Sequence, residues 1–279
     1  MRALTFGEAL IDEFPDRRVV AGAPIHVAAH LVALGWEAFL VTRVGRDNDG
    51  EWLFETLAEH GIAADLVETD DELPTGRATV EMEGTSHSFS LARPVAWDTI
   101  EGPAEVPDHD ALLFGTLPTR EPGSRAALAR LLEQSVAPLR VFDVNLRPGH
   151  IEPQGIELGL ATATVLKVND EEFPAVADIA EIEASTASYF EAAPHLLWLC
   201  VTRGADGAEL FHRDLGSWAV AGVSAQVVDT VGAGDAFIAG LIDGLARGRE
   251  PSAVLNAAHE VAAATLGRRG GLPPPVGGS

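Results

Sequence analysis

Short, continuous runs of apolar residues recur along the chain, and most of the stretches between them carry apolar residues at helical spacing. Such runs are typical of strands buried on both faces, and the spacing is typical of amphipathic helices. The alternation predicts an α/β fold with a mostly parallel sheet. The predicted strands lie at 3–11, 38–44, 111–115, 140–144, 164–168, 196–202 and 208–211, and the predicted helices at 24–34, 50–60, 122–135, 235–247 and 252–266.

Between residues 66 and 92 the apolar period changes to two. The segments 79–83 and 86–91 are typical of half-exposed antiparallel strands joined at Gly84. A small sheet beside an α/β body is typical of a lid, which excludes water from a reacting site. We expect lid strands at about 13–20 and 66–95, within a single domain that spans residues 1–279.

Near the C-terminus, small residues separate a predicted strand from a predicted helix. The strand ends with the two valines at 227–228, Gly232, Ala233 and Gly234 follow, and the helix begins at Asp235. Residues with little or no side chain leave their backbone N–H groups open to a ligand, and a helix start adds unpaired N–H groups and a positive dipole end. The segment predicts an anion site in which Asp235 is a base that contacts the nucleophile. A helix cap and a turn are the structural alternative.

The composition excludes several classes of partner. The net charge of the 279 residues is −23, whereas a nucleic-acid-binding protein needs a basic face. No apolar run is long enough for a membrane span, and no export leader precedes the first strand. The single cysteine, Cys200, lies in an apolar run and fits a reducing compartment. We therefore expect a cytoplasmic protein with no nucleic-acid partner and no membrane partner.

The C-terminal segment resembles the signature of the ribokinase (PfkB) family of sugar kinases. The matching residues read Asp229-Thr-x-Gly-Ala-Gly-Asp235, followed by x-Phe-x-x-Gly240, and further motifs extend the resemblance from Gly7 to Gly270 in the family's order. The resemblance implies a ribokinase-like three-layer sandwich, with helices on both faces of the sheet, that transfers phosphate from ATP to a sugar hydroxyl. It also implies Mg²⁺ and a monovalent cation such as K⁺. Asp235 would accept the proton of the hydroxyl while the amides of 232–234 stabilise the transferring phosphoryl group.

The resemblance assigns residues in the first half of the chain to the sugar. Asp12 follows the first predicted strand, where ligands gather in open α/β sheets, although a surface turn would also explain it. His26 stands where the family has an asparagine that holds a substrate hydroxyl, and Ala21 replaces a glycine. A histidine can make the same hydrogen bond, and a core-packed histidine is the alternative. The full set is Asp12, Gly22, His26, Gly45, Asp47 and Arg147.

A second set of residues is assigned to the nucleotide and to metal ions. Asn169-x-x-Glu172 matches the family motif that orders hydrated Mg²⁺ and the ATP phosphates. Oxygen ligands acting through water suit Mg²⁺, and a helix N-cap is the structural alternative. The nucleotide set is Lys167, Asn169, Glu172, Thr202, Gly204, Gly207, Asn256 and His259, and Asp229 and Val231 match the monovalent cation site.

The sugar is open at this level. The motifs Asp143-x-Asn-x-Arg147 and Lys167-x-Asn-x-x-Glu172 are most similar to those of fructokinases. 2-Keto-3-deoxygluconate kinase shares the first motif, and ribokinase and nucleoside kinases are less similar. The replacement at His26 leaves open a weakly active homologue that binds a sugar or a nucleotide. The short lid is compatible with a homodimer paired through it and with a monomer.

Overall fold

The computed structural model describes residues 1–83, 86–223 and 226–276. These residues contain thirteen β-strands and eight α-helices. The strands are β1 (Arg2–Phe6), β2 (Leu10–Glu13), β3 (Arg18–Ala21), β4 (Glu37–Gly45), β5 (Val67–Asp70), β6 (Gly76–Glu83), β7 (Ser86–Leu91), β8 (Ala111–Gly115), β9 (Leu139–Asp143), β10 (Val165–Asn169), β11 (Trp198–Thr202), β12 (Ala208–His212) and β13 (Gly216–Val220). The helices are α1 (Ala23–Ala33), α2 (Asn48–Glu59), α3 (Pro122–Gln134), α4 (Pro153–Thr162), α5 (Glu172–Ile179), α6 (Thr186–Ala192), α7 (Ala233–Ala246) and α8 (Pro251–Leu266).

The main sheet has nine strands in the order β13-β12-β11-β10-β9-β8-β1-β4-β5. The seven strands from β11 to β5 in that order are parallel, and only β12 and β13 are antiparallel to their neighbours. A second sheet has four strands in the order β3-β2-β6-β7. The predicted α/β class, with a mostly parallel sheet and a small second sheet, is confirmed.

Adjacent residues of each central strand enter different cores, because successive side chains of a strand point to opposite faces. Leu4 and Phe142 belong to the core that the sheet shares with helices α3 to α6. Their neighbours Ala3 and Val141 belong to the core that it shares with α1, α7 and α8. The sheet is therefore the middle layer of three, and its strands are apolar on both faces, as the continuous apolar runs predict.

The prediction of one strand over residues 3–11 is wrong. The main-sheet strand β1 ends at Phe6, and β2 begins at Leu10 in the small sheet. Gly7 separates the two strands with φ 150°, and a Cβ there would lie 2.9 Å from Cγ of Pro24. Residues 3–11 therefore contribute a strand to each of the two sheets, and the chain passes at Gly7 from the main sheet to the small sheet.

Two other predicted segments differ from the structure. Residues 67–70 pair with β4 at the edge of the main sheet, so the small sheet takes only β6 and β7 from the region 66–95, and Gly84 lies outside the described residues. Val227 and Val228 form no strand; their side chains are exposed in a loop that leads to α7. Among the described residues, no helix combines the length and the apolar character that crossing a membrane requires.

Candidate functional site

Two cavities meet at the N-terminus of α7, beside the carboxyl ends of the parallel strands. The smaller has a volume of about 310 Å³ and is lined by Asp12, His26, Arg147 and Asp235 among others. The larger has a volume of about 690 Å³ and is lined on one side by the turn after β11 and on the other by α7 and α8. Thr230 and Gly234 line both cavities. The loop before α7 therefore stands at the junction of two ligand-sized spaces.

Local backbone geometry keeps this loop open. Gly232 caps α7 in the left-handed conformation, with φ 74°, and a Cβ there would lie 2.3 Å from Cα of Gly271. Within the described part of the chain, the amides of Gly232, Gly234 and Asp235 have no hydrogen-bond acceptor. The amide of Ala233 contacts the carbonyl of Thr230 at 3.4 Å. Free amides at a helix N-terminus form an anion site.

Asp235 pairs with a histidine from another helix. Nδ1 of His26 on α1 lies 2.7 Å from Oδ2 of Asp235, and the two side chains are 5% and 14% exposed. Burial by itself lowers the pKa of His26, but the hydrogen bond and charge of Asp235, with the charges of Asp12 and Glu8, outweigh it and raise the pKa. The pair is therefore a short hydrogen bond in which the imidazole of His26 holds its proton more strongly than a free imidazole does.

Two further carboxyl groups line the smaller cavity. Burial raises the pKa of Asp12 to about 6, although His26 and Arg147 oppose the rise. Burial also raises the pKa of Glu8 to about 7, against backbone hydrogen bonds and Arg147. Glu8 was not predicted as a site residue, because residues 3–11 are assigned to one buried strand. Gly7 and the charged Glu8 within that run are the signal that the strand is interrupted there.

The remaining residues assigned to the sugar divide into two groups. Gly22 and Arg147 line the smaller cavity. Gly45 and Asp47 are not among its lining residues. Asp47 caps α2 and accepts hydrogen bonds from the amides of Gly50 and Thr75 and from the Thr75 hydroxyl. The structure therefore uses Asp47 to join two loops at the edge of the small sheet.

The residues assigned to the phosphates and Mg²⁺ are largely bonded to one another. Asn169 Oδ1 accepts the amide of Glu172, and Glu172 Oε2 accepts the amide of Asn169, which is a capping box. The other oxygen of Glu172 accepts the amide of Leu146. These oxygens already accept backbone amides, and this arrangement suits Mg²⁺ held through bound water. No group of three or more His, Cys, Asp or Glu suited to a metal ion occurs in the described ranges.

Lys167 is buried and lies 3.2 Å from Asp143. Burial by itself lowers the pKa of Lys167, but the charges of Asp143 and Glu172 outweigh it and raise the pKa. Lys167 does not line the larger cavity. The charge of Lys167 therefore lies in the interior, where it offsets the buried carboxyl groups of Asp143 and Glu172.

Half of the eight predicted nucleotide residues line the larger cavity. Thr202, Gly204, Gly207 and His259 line it. The His259 ring packs edge-on against Phe237 on α7, with centroids 5.1 Å apart, and its Nε2 is buried and has no hydrogen-bond partner within the described residues. Burial lowers the pKa of His259, so the ring is neutral and can bond a polar ligand atom. Asn256 is exposed and outside this lining.

The Asp229 side chain, which is assigned to a monovalent cation, accepts backbone amides from two loops. Oδ1 and Oδ2 of Asp229 accept the amides of Val231 and Gly270. The guanidinium of Arg17 lies 3.6 Å from Oδ2. Asp229 therefore joins the loop before α7 to the loop after α8. Its negative charge also faces the guanidinium of Arg17, which lies between β2 and β3 of the small sheet.

Known proteins that this chain resembles are kinases of sugars or of a riboside. A putative sugar kinase of Pyrococcus horikoshii is 28% identical over 266 residues, with 86% of this chain and 81% of that protein covered. Its crystal structure in complex with ATP has a TM-score of 0.82 at 26% identity and covers 98% of this chain and 95% of that chain. A fructokinase of Escherichia coli is 28% identical over 258 residues, with 86% and 82% covered. An aminoimidazole riboside kinase of Salmonella typhimurium is 28% identical over 265 residues, with 86% and 80% covered.

The resemblance seen in the motifs is confirmed at the level of the whole chain. The family described as pfkB family carbohydrate kinase matches residues 7–275. That match includes both cavities and the loop between them. The chain therefore belongs to the PfkB family of carbohydrate kinases and is an ATP-dependent sugar kinase.

Proposed function

We propose that this kinase is fructokinase-like: ATP occupies the larger cavity, a hexose occupies the smaller one, and the terminal phosphoryl group crosses between them. The observation that carries the proposal is the shared wall. Gly234 and Thr230 line both cavities, so a phosphate chain entering from the nucleotide side reaches the loop that also faces the sugar. The fructokinase relative and the Asp143-x-Asn-x-Arg147 motif support the choice of sugar.

The chemistry follows from the groups at that junction. Asp235, which lines the sugar cavity, accepts the proton of the attacking hydroxyl as the new O–P bond forms. The free amides of Gly232, Gly234 and Asp235 donate to the oxygens of the transferring phosphoryl group, where negative charge is greatest. The hydroxyl oxygen gains the phosphoryl group, ADP leaves with the electrons of the broken O–P bond, and the proton rests on the carboxylate.

Three other parts of the site support this reaction. Asn169 and Glu172 would hold Mg²⁺ through its water molecules, and the ion would supply positive charge to the phosphates. Arg147 is the guanidinium that faces the sugar cavity. Ala78 and Leu91, from β6 and the end of β7, also line that cavity, which supports a role of the small sheet as a lid that excludes water.

An acceptor panel tests the proposal. The purified protein is incubated with ATP and Mg²⁺ and with fructose, ribose, 2-keto-3-deoxygluconate, adenosine, aminoimidazole riboside or no acceptor, and ADP and the phosphorylated product are measured. We expect the highest kcat/KM with fructose. Preference for another member of the panel would replace the sugar assignment and keep the mechanism. Ligand binding without ADP formation from any acceptor would contradict the proposal and favour a binding homologue.

A further inference from the structure

We infer that His26 is a positioning residue for the base Asp235 and not a ligand of the sugar. The inference rests on the proposed function, because it assigns Asp235 the role of base. It departs from what the sequence motif implies, since the family asparagine that His26 replaces would hold a substrate hydroxyl. In this chain the side chain at that position is instead committed to the carboxylate that performs the chemistry.

The geometry of the contact carries the inference. Nδ1 of His26 lies 2.7 Å from Oδ2 of Asp235, which is the distance expected for a charge-assisted hydrogen bond. The two residues come from different helices, α1 and α7, and are 209 positions apart in the chain. This bond leaves Oδ1 of Asp235 as the oxygen without a described partner, so the bond selects which oxygen faces the acceptor hydroxyl.

The His26 ring has little freedom to turn away from the carboxylate. It is 4% exposed, and Gly271 backs onto it so closely that a Cβ at that position would lie 2.6 Å from Cε1 and 2.7 Å from Nδ1 of the ring. His30, one turn later on α1, bonds the carbonyl of Gly271 at 3.0 Å. The same C-terminal loop that packs against Gly232 therefore also packs against the imidazole.

We further infer that the positive charge of the protonated His26 ring offsets the negative charge of Asp235. His26 is faced by Asp235 from α7, by Asp12 from β2 and by Glu8 from the turn after β1, with Arg147 on the same cavity and His30 on its own helix. A bare carboxylate at an anion site repels the phosphate that the site must bind. An imidazolium beside Asp235 offsets that charge while leaving the second oxygen free.

Asparagine and alanine at position 26 separate the effect of the hydrogen bond from the effect of the charge. The amide nitrogen of asparagine can stand close to where Nδ1 of histidine stands, so His26→Asn retains a donor for Oδ2 and loses the charge. His26→Ala loses both. His30→Asn is the matched control, because His30 is a buried histidine on the same helix that contacts the same loop and does not contact Asp235.

The test compares kcat, KM for the sugar and the pH profile of kcat across these variants, with the acceptor that the wild-type protein prefers. Losing a hydrogen bond to a charged group predicts a fall in kcat of about 10- to 100-fold for His26→Ala, with KM for the sugar changed less than about threefold. His26→Asn recovers only part of kcat near pH 6, because it retains the donor to Oδ2 and lacks the positive charge. The ratio of wild-type kcat to His26→Asn kcat then falls as the pH rises and the imidazole loses its proton, whereas the ratio for His30→Asn stays flat.

Two results would overturn the inference. A rise in KM for the sugar with kcat retained in His26→Ala would make His26 a substrate ligand. A pH-independent ratio between wild type and His26→Asn, together with equal losses in His26→Ala and His30→Asn, would reduce its role to packing. Both results require an active wild-type enzyme, so they are distinct from failure of the proposed function, in which the wild type itself forms no product.

Discussion

Gly234 offers a substitution whose effects on stability and on activity are expected to have opposite signs. It is the second residue of α7, and it is exposed where the two cavities meet. Among the described residues, a Cβ built on it would meet no atom within 4 Å apart from its chain neighbours and the backbone of its own helix. The space that a side chain would enter is therefore the space assigned to the transferring phosphoryl group.

The expected magnitudes follow from this position. Replacing glycine by alanine within a helix favours folding by about 0.5–1 kcal/mol, since the unfolded chain loses freedom and no native contact is broken. For a chain of this size that corresponds to a rise in Tm of about 1–3 °C. The new methyl group would crowd the phosphoryl oxygen that is proposed to accept a hydrogen bond from the Gly234 amide. A misplacement of about 1 Å at a reacting centre can cost about 100-fold in rate, so we expect kcat to fall by at least about tenfold.

Gly240 is the matched control on the same helix. A Cβ there would lie 2.6 Å from Cα of Ala258, at the contact between α7 and α8. Gly240→Ala is therefore expected to lower Tm, because the two helices must separate, while the loop at Gly234 keeps its composition. Thermal unfolding and steady-state kinetics of both variants provide the comparison. A Gly234→Ala protein with wild-type kcat would refute the assignment of the loop to phosphoryl transfer.

Two further predictions concern the carboxyl groups of the smaller cavity. Asp235→Asn removes the proposed base and should lower kcat by about 100- to 10,000-fold while ATP binding is retained. The control is Asp214→Asn, since Asp214 is exposed outside both cavities and its variant should behave as wild type. Turnover of Asp235→Asn near the wild-type value would contradict the role of Asp235. Glu8→Gln should stabilise the protein at pH 8 by up to about 3 kcal/mol, because burial raises the pKa of Glu8 from 4.5 to about 7 and the native state therefore loses stability as the pH rises through that range. The gain in denaturant unfolding should shrink toward pH 4, and a gain that is constant with pH would point to a cause other than titration.

The periodicity of the sequence predicts most of the sheet and its helices because buried parallel strands are apolar on both faces. It does not predict where a strand changes sheets. The run 3–11 is apolar at both ends and is assigned to one strand by its pattern, yet Gly7 divides it between the main sheet and the small one. Val227 and Val228 were predicted to end a strand and are exposed in a loop. Two adjacent apolar residues do not show whether a neighbouring strand is available to pair with them.

The site residues divide along a similar line. The spacing from Gly232 to Asp235 is local, and so the helix start and its open amides are predictable from adjacent residues. The Asn169–Glu172 motif is local as well, and its spacing predicts both a helix N-cap and a Mg²⁺ motif. The structure forms the N-cap, in which side-chain oxygens accept backbone amides. Glu8 reaches the cavity only because the chain turns at Gly7, and that turn depends on packing against Pro24.

The contact between His26 and Asp235 could not be predicted from the sequence motif. The replacement of asparagine by histidine is visible in the motif, and by itself it indicates either a changed sugar contact or a packed side chain. Its partner is 209 residues away, and the pairing depends on how α1 packs against α7. Because the substituted residue faces Asp235 and lies in a cavity with two other carboxyl groups, the change can alter the charge of the site, and in the proposed arrangement the sugar contacts fall to Asp12 and Arg147. Substitutions at a recognised motif position are therefore best interpreted through the atom that the new side chain contacts.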